Sequence, residues 1–173
     1  MKPTRTPLDE LNRMPADAFV AALGGVFEQS PWVAAAAQRQ RPFDSIDALH
    51  RAMVEAVERA GDERQLALIA AHPELAGKAA VRGELTAEST REQSGAGLDR
   101  CTQQEFDTLQ RLNRTYRERF GFPFILAVRG YDRRGIIENF EARVHNSRED
   151  ELRASLDQIY RIARLRLDDL IDA

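Results

Sequence analysis

Apolar side chains recur along most of this chain at three- and four-residue steps, the spacing that lines one face of a helix. The clearest run is Ile46, Leu49, Met53, Val57 and Ala60, entered after Pro42 through Asp44 or Ser45 as a cap. A second is Phe106, Leu109, Leu112, Tyr116 and Phe120. It follows Thr102-Gln-Gln-Glu105, a capping-box pattern, runs through Arg119, and has Gly121 at its end. A third is Leu152, Leu156, Ile159, Ala163, Leu167 and Leu170. It begins at Ser147, with acids at 149, 150 and 151 against the positive end of the helix dipole.

Shorter patterns fill the rest. Pro15–Leu23 predicts a helix with Phe19, Val20 and Leu23 inward, stopped by Gly24-Gly25. Ser30-Pro31 reads as a hydroxyl cap followed by proline at the first helical position, with the helix running to Gln38 and Trp32 as a core anchor. Gly61-Asp62 opens a helix carrying Leu66, Ile69 and Ala70 up to His72. Ser89 to Ala96 and Gly135 to Val144 are two more, and His50, off its helix's apolar stripe, is expected to be exposed. Leu8–Met14 reads as a turn and residues 1–7, with two prolines, as a flexible start. The pattern therefore predicts an all-α fold: a single-domain helical bundle over residues 1–173, with about eight helices and short connections.

One stretch breaks the helical period. Phe122-Pro-Phe-Ile-Leu-Ala-Val128 is apolar throughout and ends at Arg129-Gly130. It fits a buried strand or the start of a buried helix, and Pro123 keeps its beginning from lying mid-helix. If it is extended, its buried backbone groups need partners, because each one left unpaired costs about 1–3 kcal/mol.

Polar side chains in two places suggest chemistry. His72 precedes Pro73, whose ring pushes it out of the helical region, so the helix before it should end there with the imidazole at the negative end of the dipole. Ser89, Glu92 and Gln93 fall at i, i+3 and i+4 on one helix face. The glycines at 95 and 97 would let another backbone approach and end that helix. Taken alone, a histidine before proline is more often a capping or surface residue than a catalyst, and such a helix face is usually a solvated one.

Composition removes several classes of function. The formal charge is −3 with acids and bases interspersed, which argues against a polyanion-binding surface and so against nucleic acid. A lone cysteine (Cys101) and three histidines (His50, His72, His145) without ligand spacing give no metal motif. No apolar run approaches the ~20 residues that span a membrane. Neither a signal peptide at the start nor a peroxisomal address at the end is evident, so a reduced, cytoplasmic protein is expected.

Three motifs in order carry a family resemblance: His72-Pro73-Glu74-Leu75-Ala76-Gly77-Lys78; Ser89-Thr90-Arg91-Glu92-Gln93 with Ala96-Gly97-Leu98; and Phe120-Gly121-Phe122-Pro123-Phe124-Ile125, with Arg129-Gly130 beyond. The chain resembles the 2-oxo-4-hydroxy-4-carboxy-5-ureidoimidazoline (OHCU) decarboxylases of urate breakdown. The resemblance extends over essentially its whole length, although the N-terminal third carries little diagnostic pattern. It implies decarboxylation of OHCU to (S)-allantoin, with His72 as catalytic acid/base and Glu92 beside it as a second catalytic group. It further implies that Pro73 walls the site and that Ser89, Thr90, Arg91, Glu92 and Gln93 contact substrate. Phe124, Ile125, Leu126, Ala127 and Val128 would offer backbone groups to the planar ring.

No cofactor is expected. The chain shows no lysine-centred pyridoxal motif and no Gly-rich phosphate loop, and the implied substrate carries its own electron sink, a ring C=N beside the carbon that bears the carboxylate. The expected partner is therefore that small molecule, with a homodimer as the assembly considered. Two rival readings stand beside this one. One is a helical binding module whose Ser89–Gln93 face meets a partner, and the other is a metal-dependent hydrolase of ureido compounds using His72 and Glu92.

Overall fold

The computed structural model describes residues 4–173. Among them are ten α-helices and one two-stranded parallel pairing: β1 (Thr6–Pro7), α1 (Leu8–Arg13), α2 (Ala16–Leu23), α3 (Trp32–Ala37), α4 (Ile46–Arg59), α5 (Asp62–Ala71), α6 (Lys78–Val81), α7 (Ala87–Gly95), α8 (Gln103–Phe120), α9 (Arg133–Arg143), α10 (Arg148–Leu170) and β2 (Ile171–Asp172). The all-α expectation holds. The two helices beyond the expected eight are α1, read from sequence as a turn, and α6, a single turn in the polar gap after Gly77. The expected flexible start lies outside the described residues for 1–3, but Thr6–Pro7 within it pairs with Ile171–Asp172.

The chain falls into two compact units, Met1–Ala71 with Tyr160–Ala173, and His72–Ile159. In the first, Phe19, Leu23, Phe27, Val33, Leu49, Met53, Val57 and Ile69 are buried together with Ala163 and Leu167. Ser45 caps α4 as its sequence predicts, its hydroxyl accepting from the Ala48 N–H at 3.1 Å. Ser30 does not cap α3: its hydroxyl donates to the Glu28 carbonyl instead. Trp32 is half-buried beneath the Arg64 guanidinium rather than a core anchor. His50 is half-buried too, with Nε2 2.8 Å from the Tyr160 carbonyl. One buried ion pair, Arg166 with Glu28 at 2.9 Å, sits inside this unit, and the same guanidinium donates to the Gly25 carbonyl.

The second unit is built on α8. Its capping box is complete: the Thr102 hydroxyl accepts from the Glu105 N–H, and the Glu105 carboxylate accepts from the Thr102 N–H. Gly121 ends the helix at φ +81°, a conformation open to glycine at little cost. Tyr116, fully buried, lies with ring centroids 4.5–5.9 Å from Phe120, Phe122, Phe124 and Phe140, three of the four edge-on. That aromatic cluster is the centre of this unit's core.

Candidate active site

Helix α5 ends at Ala71, one residue before the histidine, as the proline rule requires. His72 is 7% exposed. From Pro73 to Gly77 the chain has no regular structure, and its backbone groups are taken by side chains. Gln93 Oε1 accepts from the Ala76 N–H at 2.9 Å, while Gln93 Nε2 donates to the Glu74 carbonyl at 3.2 Å. On α8, Asn113 Nδ2 donates to the Leu75 carbonyl at 2.9 Å and Gln110 Nε2 to the Ala76 carbonyl at 2.6 Å. The first motif is therefore tied directly to the second through Gln93, and both amide atoms of that side chain take part. One N–H and one lone pair of Gln93 are left for anything else.

Helix α7 is opened by Thr86, whose hydroxyl accepts from the Ser89 N–H at 3.2 Å. Ser89, Gln93 and Ala96 are buried and Glu92 is half-buried, so the face drawn from the sequence spacing is the inward one. Thr90 and Arg91 are exposed, and the Thr90 hydroxyl turns back to the Thr86 carbonyl at 2.8 Å. The five consecutive residues thus divide by helical geometry into an inward set and an outward pair. Gly97, at φ +79°, makes the turn out of α7. What comes close there is a side chain rather than the expected backbone: a Cβ at Gly97 would meet Arg133 Nη1 at 2.9 Å. Arg133 is fixed in turn by Glu105, with Nε 3.0 Å from both carboxylate oxygens.

The segment Phe122–Val128 is buried at every residue and is neither strand nor helix. Side chains hold it. Arg143 donates to the Ile125 carbonyl, and Gln158 Oε1 accepts from the Ala127 N–H at 3.0 Å. Val128 and Tyr131 close a turn through Gly130, which has φ +91°, leaving Arg129 exposed. Phe124 stacks on Phe140 at 3.9 Å and 9°, and the Arg143 guanidinium lies 4.4 Å from the Phe124 ring centroid.

That arginine belongs to a buried network. Glu151, fully buried, is 2.9 Å from Arg143 Nη2 and accepts from the Tyr116 hydroxyl at 2.6 Å and from Asn146 Nδ2 at 3.1 Å. Burial first, then the hydrogen bond to Glu151 and its negative charge, push the Tyr116 phenol well above its usual range. In the sequence Glu151 reads as one of three acids facing a helix dipole. Only the register marks it out, since Glu151, Ser155 and Ile159 follow one another at four-residue steps. The holding residues Gln110, Asn113, Arg143 and Gln158 were also missed. The one available signal was Asn113, a polar side chain between Leu112 and Tyr116 on the apolar stripe of α8. Among the described residues, no group of three or more His, Cys, Asp or Glu side chains is placed to hold a metal.

Comparison with known proteins gives this arrangement a family. The model for OHCU decarboxylases matches residues 12–168. A Haloferax volcanii protein named 2-oxo-4-hydroxy-4-carboxy-5-ureidoimidazoline decarboxylase is 47% identical over 160 residues, which is 92% of this chain and 93% of that one. A Bacillus subtilis uric acid degradation bifunctional protein is 43% identical over 164 residues, 95% of this chain and 32% of that longer one. Among solved structures, that of an (S)-allantoin synthase superposes with a TM-score of 0.78 at 29% identity. The match covers 96% of this chain, which spans 55% of that one. The chain belongs to the OHCU decarboxylase family.

Proposed function

We propose that this chain decarboxylates OHCU to (S)-allantoin in urate breakdown, as one functional domain covering residues 1–173 and without a cofactor. The observation that carries the reading is the likeness to the Haloferax protein, which runs through nearly the full length of both chains. The activity in that protein's name therefore has no separate domain to reside in.

The chemistry asks little beyond placement. The bond from ring carbon to carboxylate breaks, carbon dioxide leaves, and the electron pair moves into the adjacent C=N. The resulting enol-like intermediate then takes one proton on the ureido-bearing carbon. His72 acts as the acid/base, a role suited to a side chain whose ordinary pKa is about 6.5. Glu92 orients it or accepts the substrate's hydroxyl hydrogen. From α7 Glu92 and Gln93 are the principal polar partners of the substrate, Gln93 through its remaining N–H and lone pair, with Ser89 beside them on the inward face and the exposed Thr90 and Arg91 contributing least. Pro73 walls the site, and Phe124 to Val128 present backbone groups to the planar ring.

The substrate is short-lived, so the test generates it in place from urate with urate oxidase and hydroxyisourate hydrolase. Allantoin formation is then followed by circular dichroism. Added protein should speed the reaction and give the S form in excess, and exhaustive chelation should leave the rate intact. Loss of activity on chelation, restored by zinc or manganese, favours a metal-dependent hydrolase instead. Location and assembly are read as cytoplasmic and homodimeric, to be checked by fractionation and sedimentation velocity.

A further inference from the structure

Ala76 stands in a left-handed conformation, φ +49°, which the Cβ of an alanine makes unfavourable. Neighbouring residues supply what holds it there. Its N–H is taken by Gln93 and its carbonyl by Gln110, while Asn113 takes the carbonyl of Leu75 immediately before it. Gln110 and Asn113 lie one turn apart on α8, and Gln93 comes from α7, so two helices grip three consecutive peptide groups. Asn113 is 5% exposed, and its Oδ1 has no hydrogen-bond partner among the described residues. A leucine would fill that space without burying an unpaired acceptor. Helix packing alone therefore gives no reason for an amide at 113, and its donation to Leu75 does.

We infer that Gln110 and Asn113 are positioning residues for the proposed decarboxylation: with Gln93 they fix the left-handed turn at Ala76, and so the course of the backbone leaving His72 and Pro73. Neither touches the substrate. Proton delivery to one face of a planar intermediate depends on sub-ångström placement, and a misplacement of about 1 Å can cost on the order of 10²-fold in rate. The catalytic half of the inference rests on the decarboxylase reading; the holding of the turn does not.

The test uses Gln110→Met, which keeps length and loses the donor, and Asn113→Leu, which keeps shape and loses both polar atoms. Each is made alone and with Ala76→Gly. Three quantities are read: kcat and KM with the substrate generated in place, thermal midpoint, and amide exchange at residues 74–78. Each single variant should lower kcat about tenfold or more, with KM within about twofold, and the midpoint should move by only a few degrees, about 2–4 °C for each kcal/mol lost. Exchange at 74–78 should quicken while exchange at 122–128 stays as in the wild type. Glycine adopts positive φ freely, so Ala76→Gly should restore part of the kcat lost in Gln110→Met. Unchanged kcat in both single variants overturns the catalytic role, as does a loss that only tracks the unfolded fraction, or an absence of rescue by glycine. Unchanged exchange at 74–78 overturns the clamp itself. An inactive wild type removes the decarboxylase reading and the catalytic half with it, leaving the clamp to the exchange measurement.

Discussion

The two irregular stretches of the candidate site, Pro73–Gly77 and Phe122–Val128, are held by opposite chemistry. Neutral carboxamides tie the first, taking the backbone groups of Glu74, Leu75 and Ala76. The second rests on buried charge and stacked rings: Arg143 reaches the Ile125 carbonyl, lies over Phe124 and is paired with a fully buried Glu151. A neutral hydrogen bond contributes about 0.5–1.5 kcal/mol net, so the amide clamp decides geometry more than stability. Removing one member of a buried ion pair leaves the other uncompensated, at about 3–5 kcal/mol. The two stretches should therefore fail in different ways, one in rate and the other in folding.

Substitutions can separate them. His72→Ala should cut turnover by about 10²–10⁴-fold while the far-UV helix signal stays native-like, because general acid–base groups contribute in that range. A variant within a factor of two of wild type would assign the proton to another group. Glu151→Ala should destabilise the fold by about 3–5 kcal/mol in urea unfolding, since Arg143 would stay buried without its partner. Tyr116→Phe is the gentler probe of the same network, at about 1.5–3 kcal/mol for a hydrogen bond to a charged acceptor. It also carries a pH signature. A raised folded-state pKa adds stability that is complete below the unfolded phenol's value, about 10, and is lost as pH rises toward the folded one. Alkaline destabilisation above about pH 10 should accordingly be shallower in Tyr116→Phe.

The smallest effect belongs to Glu105, whose carboxyl is held below its usual range by the Thr102 backbone N–H and then by Arg133. A depressed carboxylate contributes stability above its unfolded pKa, about 4.3, and loses that contribution as pH falls through the folded value. Acid titration of Glu105→Gln should show a slightly flatter loss of stability below about pH 4. An unchanged curve would leave the Glu105–Arg133 pair with no energetic part in holding the Gly97 turn.

What could be read in advance follows the range of the interactions. Thr102 with Glu105, Ser45 and Gly121 act within a turn of their own position, and the helix ends they mark agree with the structure. The inward set Ser89, Glu92, Gln93 and Ala96 also follows from helical spacing alone. The course of Pro73–Gly77 was not legible, because alanine at 76 gives no hint of positive φ and its partners Gln93 and Gln110 are 17 and 34 residues away. Glu151 looked like its neighbours 149 and 150 because Tyr116, the residue that marks it as buried, lies 35 positions earlier. Phe122–Val128 left strand and helix both open. The structure chose neither, since side chains rather than a ladder or a helix supply its hydrogen bonds.

The most direct test of the decarboxylase account is the handedness of the product. Free protonation of the planar intermediate gives both mirror images of allantoin, whereas a proton delivered from a fixed position reaches one face. With substrate generated in place and followed by circular dichroism, the wild-type chain should shorten the substrate's lifetime and yield (S)-allantoin in excess. Glu92→Gln should be much slower than wild type yet still give excess S product, because ring placement sets the direction of the proton. Racemic product, with the substrate's lifetime unchanged by added protein, would contradict the account.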